Sequence, residues 1–258
     1  MDFTKPETVL NLDNIRSSLI RMEETIVFEM IERAQFQHTK TAYVPGAIAI
    51  PHFTGSFLDW FLMQTEKSHS KIRRYQAPDE VPFFPSELEE PILPPLNYPP
   101  VLASYHKEVS VNNQIKEYYI NSIVPSISAG EKEQPDNIGS CTLTDITCLQ
   151  ALSRRIHFGS FVAESKFQSE KEKFIALIKA NDVEGIDRAI TNVAVEKQVL
   201  KRLEAKAEAY GVDPTLHYSQ RAQGKVDPKV VVKIYEELVI PLTKKVEVDY
   251  LLRRLEED

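Results

Sequence analysis

Apolar residues recur every three to four positions through most of the chain, the spacing of one face of an α-helix. Residues 11–34 carry Leu12, Ile15, Leu19, Met22, Ile26 and Met30 at that spacing. Residues 56–74 form a second amphipathic run that ends in Arg73 and Arg74, as helix C-termini favour. A break follows. Eight of the 16 prolines fall between Pro78 and Pro100, which forbids long helix. This predicts an extended connection pinned by Phe83, Phe84 and Tyr98. Helical pattern resumes at 111–129, and 130–138 reads as a polar loop. Gly139 and Ser140 then open an element whose long helix is predicted over 144–167, with shorter helices near 171–180 and 182–190. A run over 192–210 closes on Gly211, which suits a helix C-cap, and 212–226 reads as loop. Asp227 and Pro228 supply a cap and first turn for a last helix reaching about Glu256, with a kink expected at Pro241. Strand alternation is nearly absent. The expectation is an all-α bundle of long helices, one domain over residues 1–258.

Composition narrows the class of function. Hydrophobic residues at 42% and charged residues at 27% supply enough apolar surface to offset ordering entropy, which excludes a disordered chain. Glycine numbers 8 of 258, about 3% against a usual ~7%, which argues against glycine-rich phosphate loops. Thirty-one basic against 38 acidic residues give a net charge of −7, with no overall footprint for nucleic acid. The longest apolar stretch, 43–51, is interrupted by Pro45 and Gly46, so no membrane span is expected. The opening MDFTKPE lacks the apolar core of a signal peptide. Cys141 and Cys148 stand seven apart in a helical segment, about 10 Å, beyond disulfide reach. Free thiols in a reducing compartment follow, hence a cytoplasmic protein.

Common catalytic motifs are missing: no G-x-G-x-x-G, Walker loop, C-x-x-C, H-E-x-x-H or G-x-S-x-G occurs. A helical di-iron site needs two Glu-x-x-His pairs, and Glu66-Lys67-Ser68-His69 is a single match. No metal is expected, and His69 reads as an ordinary surface or interface residue.

The informative feature is charge on apolar stripes. Arg16 lies four after Leu12 and three before Leu19, on the expected buried face of its helix. Leu152, Arg155, Gly159, Val162 and Lys166 share one stripe, with Arg155 and Lys166 close to three full turns apart. Asn192 and Glu196 precede Leu200 and Leu203, while Thr243 and Glu247 share a face with Ile240 and Tyr250. Long side chains leaving a core, or buried pairs such as Arg155 with Glu196, would account for any one of these. Together they describe a pocket for a small anion with more than one carboxylate, because buried cations are costly without partners. Periodicity reaches no further.

Longer segments carry a resemblance. CLQALSRRIHFGSFVAESKFQS, ITNVAVEKQVLKRLEAKAEAYGVDP and IPLTKKVEVDYLLRRLEE resemble the signature segments of fungal chorismate mutases. So do the opening MDFTKPETVLNLDNIRSSLIRMEE and GSFLDWFLMQTEKSHSKIRRYQAPDEVPFFP. The resemblance implies an all-helical homodimer, with an active site inside each subunit, that rearranges chorismate to prephenate on the way to phenylalanine and tyrosine. It implies no cofactor and no covalent intermediate. It assigns the substrate carboxylates to Arg16 and Arg155, the ether oxygen to Lys166 and Glu247, the ring hydroxyl to Glu196, and further carboxylate contacts to Asn192 and Thr243. It also implies inhibition by tyrosine and activation by tryptophan at a site between subunits. Arg73 and Arg74 match one side of that site and Asn137, Gly139 and Ser140 the other. Two positions depart from the family pattern: Leu143 and Asp227 each stand where a threonine is expected, and the loop before Asp227 is longer. The competing class is a non-catalytic helical dimer that binds aromatic amino acids through a vestigial site; loss of Arg155, Lys166 or Glu247 would favour it, and none is lost.

Overall fold

The protein is described by a computed structural model over residues 1–210 and 226–256. The expected Gly211 cap and the loop at 212–225 lie outside the described residues. Among those described, helices and turns account for the regular structure; the sole β feature is an isolated bridge between Ile50 and Phe53. The all-α expectation holds.

Polar caps set where the helices begin. After a single turn α1 (Pro6–Val9), the Asn11 side chain accepts from the amides of Asp13 and Asn14 and starts α2 (Leu12–Ala34). Ser56 does the same through the Asp59 amide for α3 (Phe57–Lys71). The proline-rich stretch is irregular, with short turns at Pro85–Glu87 and Ser104–Lys107. The buried Glu66 carboxylate pins it by accepting from the Phe83 and Phe84 amides, both at 2.9 Å. Glu66 is thus committed to the backbone, while the His69 ring meets Arg74 at 2.9 Å.

Next come α4 (Asn112–Tyr118) and α5 (Val124–Ile127), joined by a wide π turn over Tyr119–Ile123. The last helix repeats this arrangement: α11 (Pro228–Ile234), a π turn over Tyr235–Val239, then α12 (Ile240–Leu252). In each case the amide just before the proline reaches five residues back, Val124 to Tyr119 O and Ile240 to Tyr235 O. Pro125 and Pro241 lack the N–H and carry a ring that obstructs the regular ladder, so the turn widens. A π turn therefore stands where a kink was expected, and the helix stops at Leu252 rather than near Glu256.

The predicted helix over 144–167 is corrected in two ways. It begins earlier, as α6 (Ile138–His157), and it is divided at Phe158 from α7 (Gly159–Ser169). Then follow α8 (Lys171–Lys179), α9 (Val183–Ile190) and α10 (Val193–Tyr210). Asp227 caps α11 as expected, accepting from the Lys229 amide at 2.9 Å.

One apolar core runs from Val9 to Leu251. Two charged clusters cross it. The fully buried Arg33 of α2 donates from Nε to Asp145 Oδ1 of α6 at 2.5 Å. Its Nη1 donates to Phe36 O and its Nη2 to Gln37 O and the Tyr43 hydroxyl. Asp145 also accepts from the Tyr43 and Tyr119 hydroxyls, both at 2.8 Å. Further along α2, buried Glu23 accepts from Arg202 at 2.8 and 2.6 Å and from Lys206 at 3.3 Å, which ties α10 to α2. Cys141 and Cys148 are buried free thiols.

Candidate active site

Where α6 ends and α7 begins, the chain passes close to α12. A Cβ on Gly159 would stand 3.0 Å from Thr243 O, 3.1 Å from its Cγ2 and 3.3 Å from Glu247 Cγ. Any larger residue would push α12 away, so the glycine sets how near Thr243 and Glu247 come to α6 and α7. Four of the expected residues meet there. Arg155 is 6% exposed, and its Nη1 donates to Thr243 Oγ1 at 3.4 Å. Thr243 in turn donates to Val239 O at 2.6 Å. Lys166 Nζ lies 3.6 Å from Glu247 Oε2 and donates to Ile190 O, at the C-terminal end of α9. That helix end carries partial negative charge and suits an ammonium.

Two buried polar atoms of this cluster have no hydrogen-bond partner: Arg155 Nε and Glu247 Oε2. Burial pushes the Glu247 carboxyl up to about 7, against the opposing pull of Lys166, Arg155 and Lys244. At neutral pH it is therefore divided between an acid that donates and a carboxylate that only accepts.

The remaining expected residues lie further out. Arg16 is not buried: 65% of its side chain is exposed, and its nearest carboxylate is Asp13 at 3.5 Å. The buried face of α2 starts at Ile15, and Leu12 is itself exposed, so the stripe is uncovered at its N-terminal end. Asn192 is exposed and accepts from the Val195 amide at 3.2 Å, capping α10. Glu196 is half-buried and pairs with Lys244 at 2.9 Å, so the pair suggested with Arg155 is replaced.

The second group of expected residues occupies the end of α3 and the start of α6. Arg73 has a left-handed backbone (φ 69°), donates to Pro94 O, and leaves its buried Nε without a partner. Arg74 is engaged by Gln150 at 2.7 Å and Glu80 at 3.1 Å, besides His69. Burial raises the Glu80 carboxyl from its ordinary value, and Arg74 opposes it. Asn137 makes no side-chain cap, so the first amides of α6 have no side-chain partner from it. Gly139, Ser140 and Leu143 are exposed, and a Cβ on Gly139 would meet nothing within 4 Å.

The family model for type II chorismate mutase matches residues 140–248, which hold the clustered residues. The chorismate mutase of Pichia angusta is 61% identical over 258 residues, covering 100% of this chain and 92% of its own length. The chain belongs to the chorismate mutases. It is an isomerase that rearranges chorismate to prephenate. A crystal structure of the Candida albicans chorismate mutase Aro7p, in complex with L-Trp, superposes with a TM-score of 0.97 at 57% identity, covering 100% of this chain and 97% of that one. The structure of AtCM1 with tyrosine bound in its allosteric site gives 0.83 at 40% identity, covering 95% and 96%.

Seen as a chorismate mutase, the chain contains site neighbours that periodicity missed. The buried Tyr235 hydroxyl has no hydrogen-bond partner and is close enough to feel the Arg155 charge. It stands eight residues before Thr243, a spacing that puts the two about 80° apart on a regular helix. The wide turn between them absorbs one residue and brings them onto nearly the same face; Pro241 was the available signal. Lys244 escaped notice because it lies off the Thr243–Glu247 stripe and reaches Glu196 sideways. A cavity of about 370 Å³ lined by Tyr75, Phe83, Leu88, Lys107 and Asn112 takes in none of the clustered residues. No helix among the described residues is long and apolar enough to cross a membrane.

Proposed function

We propose that the enzyme holds chorismate in the cluster of Arg155, Lys166, Thr243 and Glu247, with Arg16, Asn192 and Glu196 reaching it from the rim. Arg155 and Arg16 take the two carboxylates, for which a guanidinium fork is well shaped. Thr243 and Asn192 complete those contacts, and Glu196 accepts from the ring hydroxyl. Lys166 and the protonated Glu247 donate to the ether oxygen as its bond breaks. Because the reaction is intramolecular, the protein gains by selecting the folded conformer and by stabilising charge at that oxygen. The observation that carries this reading is the pair of unpartnered buried atoms, Arg155 Nε and Glu247 Oε2. A substrate carboxylate would accept from Arg155 Nε, and the ether oxygen would accept from Glu247 in its protonated form. Arg155→Ala should lower kcat/KM by roughly 10²-fold or more while keeping the helical circular dichroism. Near-parental loss of chorismate absorbance in that variant would refute it.

The same reading makes the whole chain one cytoplasmic domain that assembles as a homodimer. Tyrosine inhibits and tryptophan activates, held between Arg73 and Arg74 of one subunit and Asn137, Gly139, Ser140 and Leu143 of the other. Three features support this. The start of α6 has no side-chain cap and suits a carboxylate. Nothing inside the chain requires Gly139. Ile72, Ile92, Leu93, Leu96 and Leu143 expose apolar surface around these segments. Sedimentation equilibrium tests the dimer. Arg73→Ala should abolish the tyrosine response and leave basal turnover intact; loss of turnover instead would give Arg73 a structural role. If the parent itself ignores tyrosine, Leu143→Thr is the repair to measure.

A further inference from the structure

Two of the segments that resemble the family hold charged residues with no part in the chemistry above: Glu164 in the first, and Arg254 beside Tyr250 in the last. Glu164 is 1% exposed. Its Oε2 accepts from the Tyr250 hydroxyl at 2.5 Å and from Arg254 Nε at 2.8 Å. Its Oε1 accepts from Gln168 at 2.6 Å and from Arg254 Nη2 at 3.3 Å. Tyr250 is fixed in turn, its hydroxyl accepting from the Ala103 amide at 3.0 Å and its carbonyl from the Tyr105 hydroxyl at 2.8 Å. Arg254 lies over the Phe167 ring at 4.8 Å.

The placement matters more than the number of bonds. Glu164 and Lys166 are two residues apart, about 200° around α7, so they leave opposite sides of the helix. Tyr250 follows Glu247 by three residues and shares its face of α12, and Arg254 lies in the turn just beyond the end of that helix. At its start α7 meets α12 through the close approach of Gly159 to Thr243 and packs the buried Phe161 on Phe158 and Phe3, apolar contacts that are less directional than hydrogen bonds. A roll of about 20° moves an atom about 6 Å from the helix axis by about 2 Å. A shift near 1 Å can cost about 10²-fold in rate.

We propose that Glu164 is a positioning residue for the rearrangement: its carboxylate, gripped by Tyr250 and Arg254, sets the roll of α7 on α12 and so places Lys166 opposite Glu247. This rests on the roles proposed above for Lys166 and Glu247. It also has a signature in pH. Glu247 faces Lys166 from α7, Arg155 from α6 and Lys244 on its own helix, itself paired with Glu196 of α10. Lys166 is the strongest of the groups opposing burial there. If Lys166 swings away, Glu247 holds its proton to higher pH.

The test is Glu164→Gln, measured as kcat and KM against pH beside the parent and Lys166→Ala. Glu164→Gln should lower kcat roughly 10- to 100-fold with little change in KM, and should move the alkaline limb to higher pH. A variant that loses thermal stability but keeps the parental kcat and limb overturns the proposal. Tyr250→Phe keeps the ring and the Arg254 pairing while removing one grip, and should move both readings the same way by less. It decides the matter if Glu164→Gln does not fold; an unmoved kcat and limb in Tyr250→Phe also overturns the proposal. Lys166→Ala separates the two failures. A near-normal kcat there sinks the site assignment itself, whereas a large loss there with Glu164→Gln unaffected sinks only the positioning role.

Discussion

Two of the buried charge groups in the bundle are finished differently. Between α2 and α6, each nitrogen of the Arg33 guanidinium donates a hydrogen bond, and both oxygens of Asp145 accept. Between α6, α7 and α12, Arg155 Nε and Glu247 Oε2 are also buried and have no hydrogen-bond partner, the Glu247 oxygen standing 3.6 Å from Lys166 Nζ. A closed network spends its desolvation on holding helices together. An open one keeps that cost in place until a molecule of complementary chemistry arrives. Burial and charge are common to the two groups; the satisfaction of their hydrogen bonds is what differs.

Breaking the closed network should give the largest effect. Asp145→Ala leaves a buried guanidinium and two buried hydroxyls without their acceptor, and should cost about 3–5 kcal/mol. That corresponds to a fall in Tm of roughly 10 °C or more, with kcat per folded molecule largely unchanged. Thermal melts and active-site-normalised turnover check both halves. The open network should answer in the opposite way. Lys166→Ala should lower kcat about 10²–10³-fold while KM and Tm move little, since this donor acts on charge that develops in the transition state.

The comparison is sharpened by pH. Glu247 titrates near 7 because burial penalises its charge. As an acid it donates to an ether oxygen, which has only lone pairs; as a carboxylate it cannot. Activity should therefore be full below pH 6 and fall as pH rises through about 7, by about tenfold per pH unit beyond it. Glu247→Gln carries a permanent donor and should flatten the profile between about pH 5 and 8. A parent flat to pH 8, or a glutamine variant inactive throughout, would remove Glu247 from the ether oxygen. The smallest effect belongs far from either network. Asp227→Ala removes one helix cap and should cost about 1 kcal/mol in a denaturant melt, whether or not the site is filled.

What the sequence disclosed follows from what periodicity measures. It gives the side of a helix that a residue occupies. It therefore found α2, α3 and α10, and it set Arg155 with Lys166 and Thr243 with Glu247 on two stripes that the structure brings together. It is blind to which end of a stripe is covered, which is why Arg16 was expected inside and lies in solvent. It is blind to partners far along the chain: nothing near Asp145 announces Arg33, 112 residues away. It also assumes a constant turn. The break at Phe158 falls where Gly159 comes close to α12, a neighbour the local pattern does not reveal, and Tyr235 is brought into line by a turn of another width. The second duty of Asn192 shows only at the start of α10, where its side-chain oxygen accepts from the Val195 amide.

The π turn ahead of Pro241 also constrains how this gene can change. It shifts the two halves of the last helix out of phase by one residue, about 100° of rotation. Loss of one residue from 235–239 would shift the phase of everything after it and swing Thr243, Glu247 and Tyr250 together away from α6 and α7. No compensating substitution could return all three. The length of that segment, more than the identity of its residues, keeps the three in line.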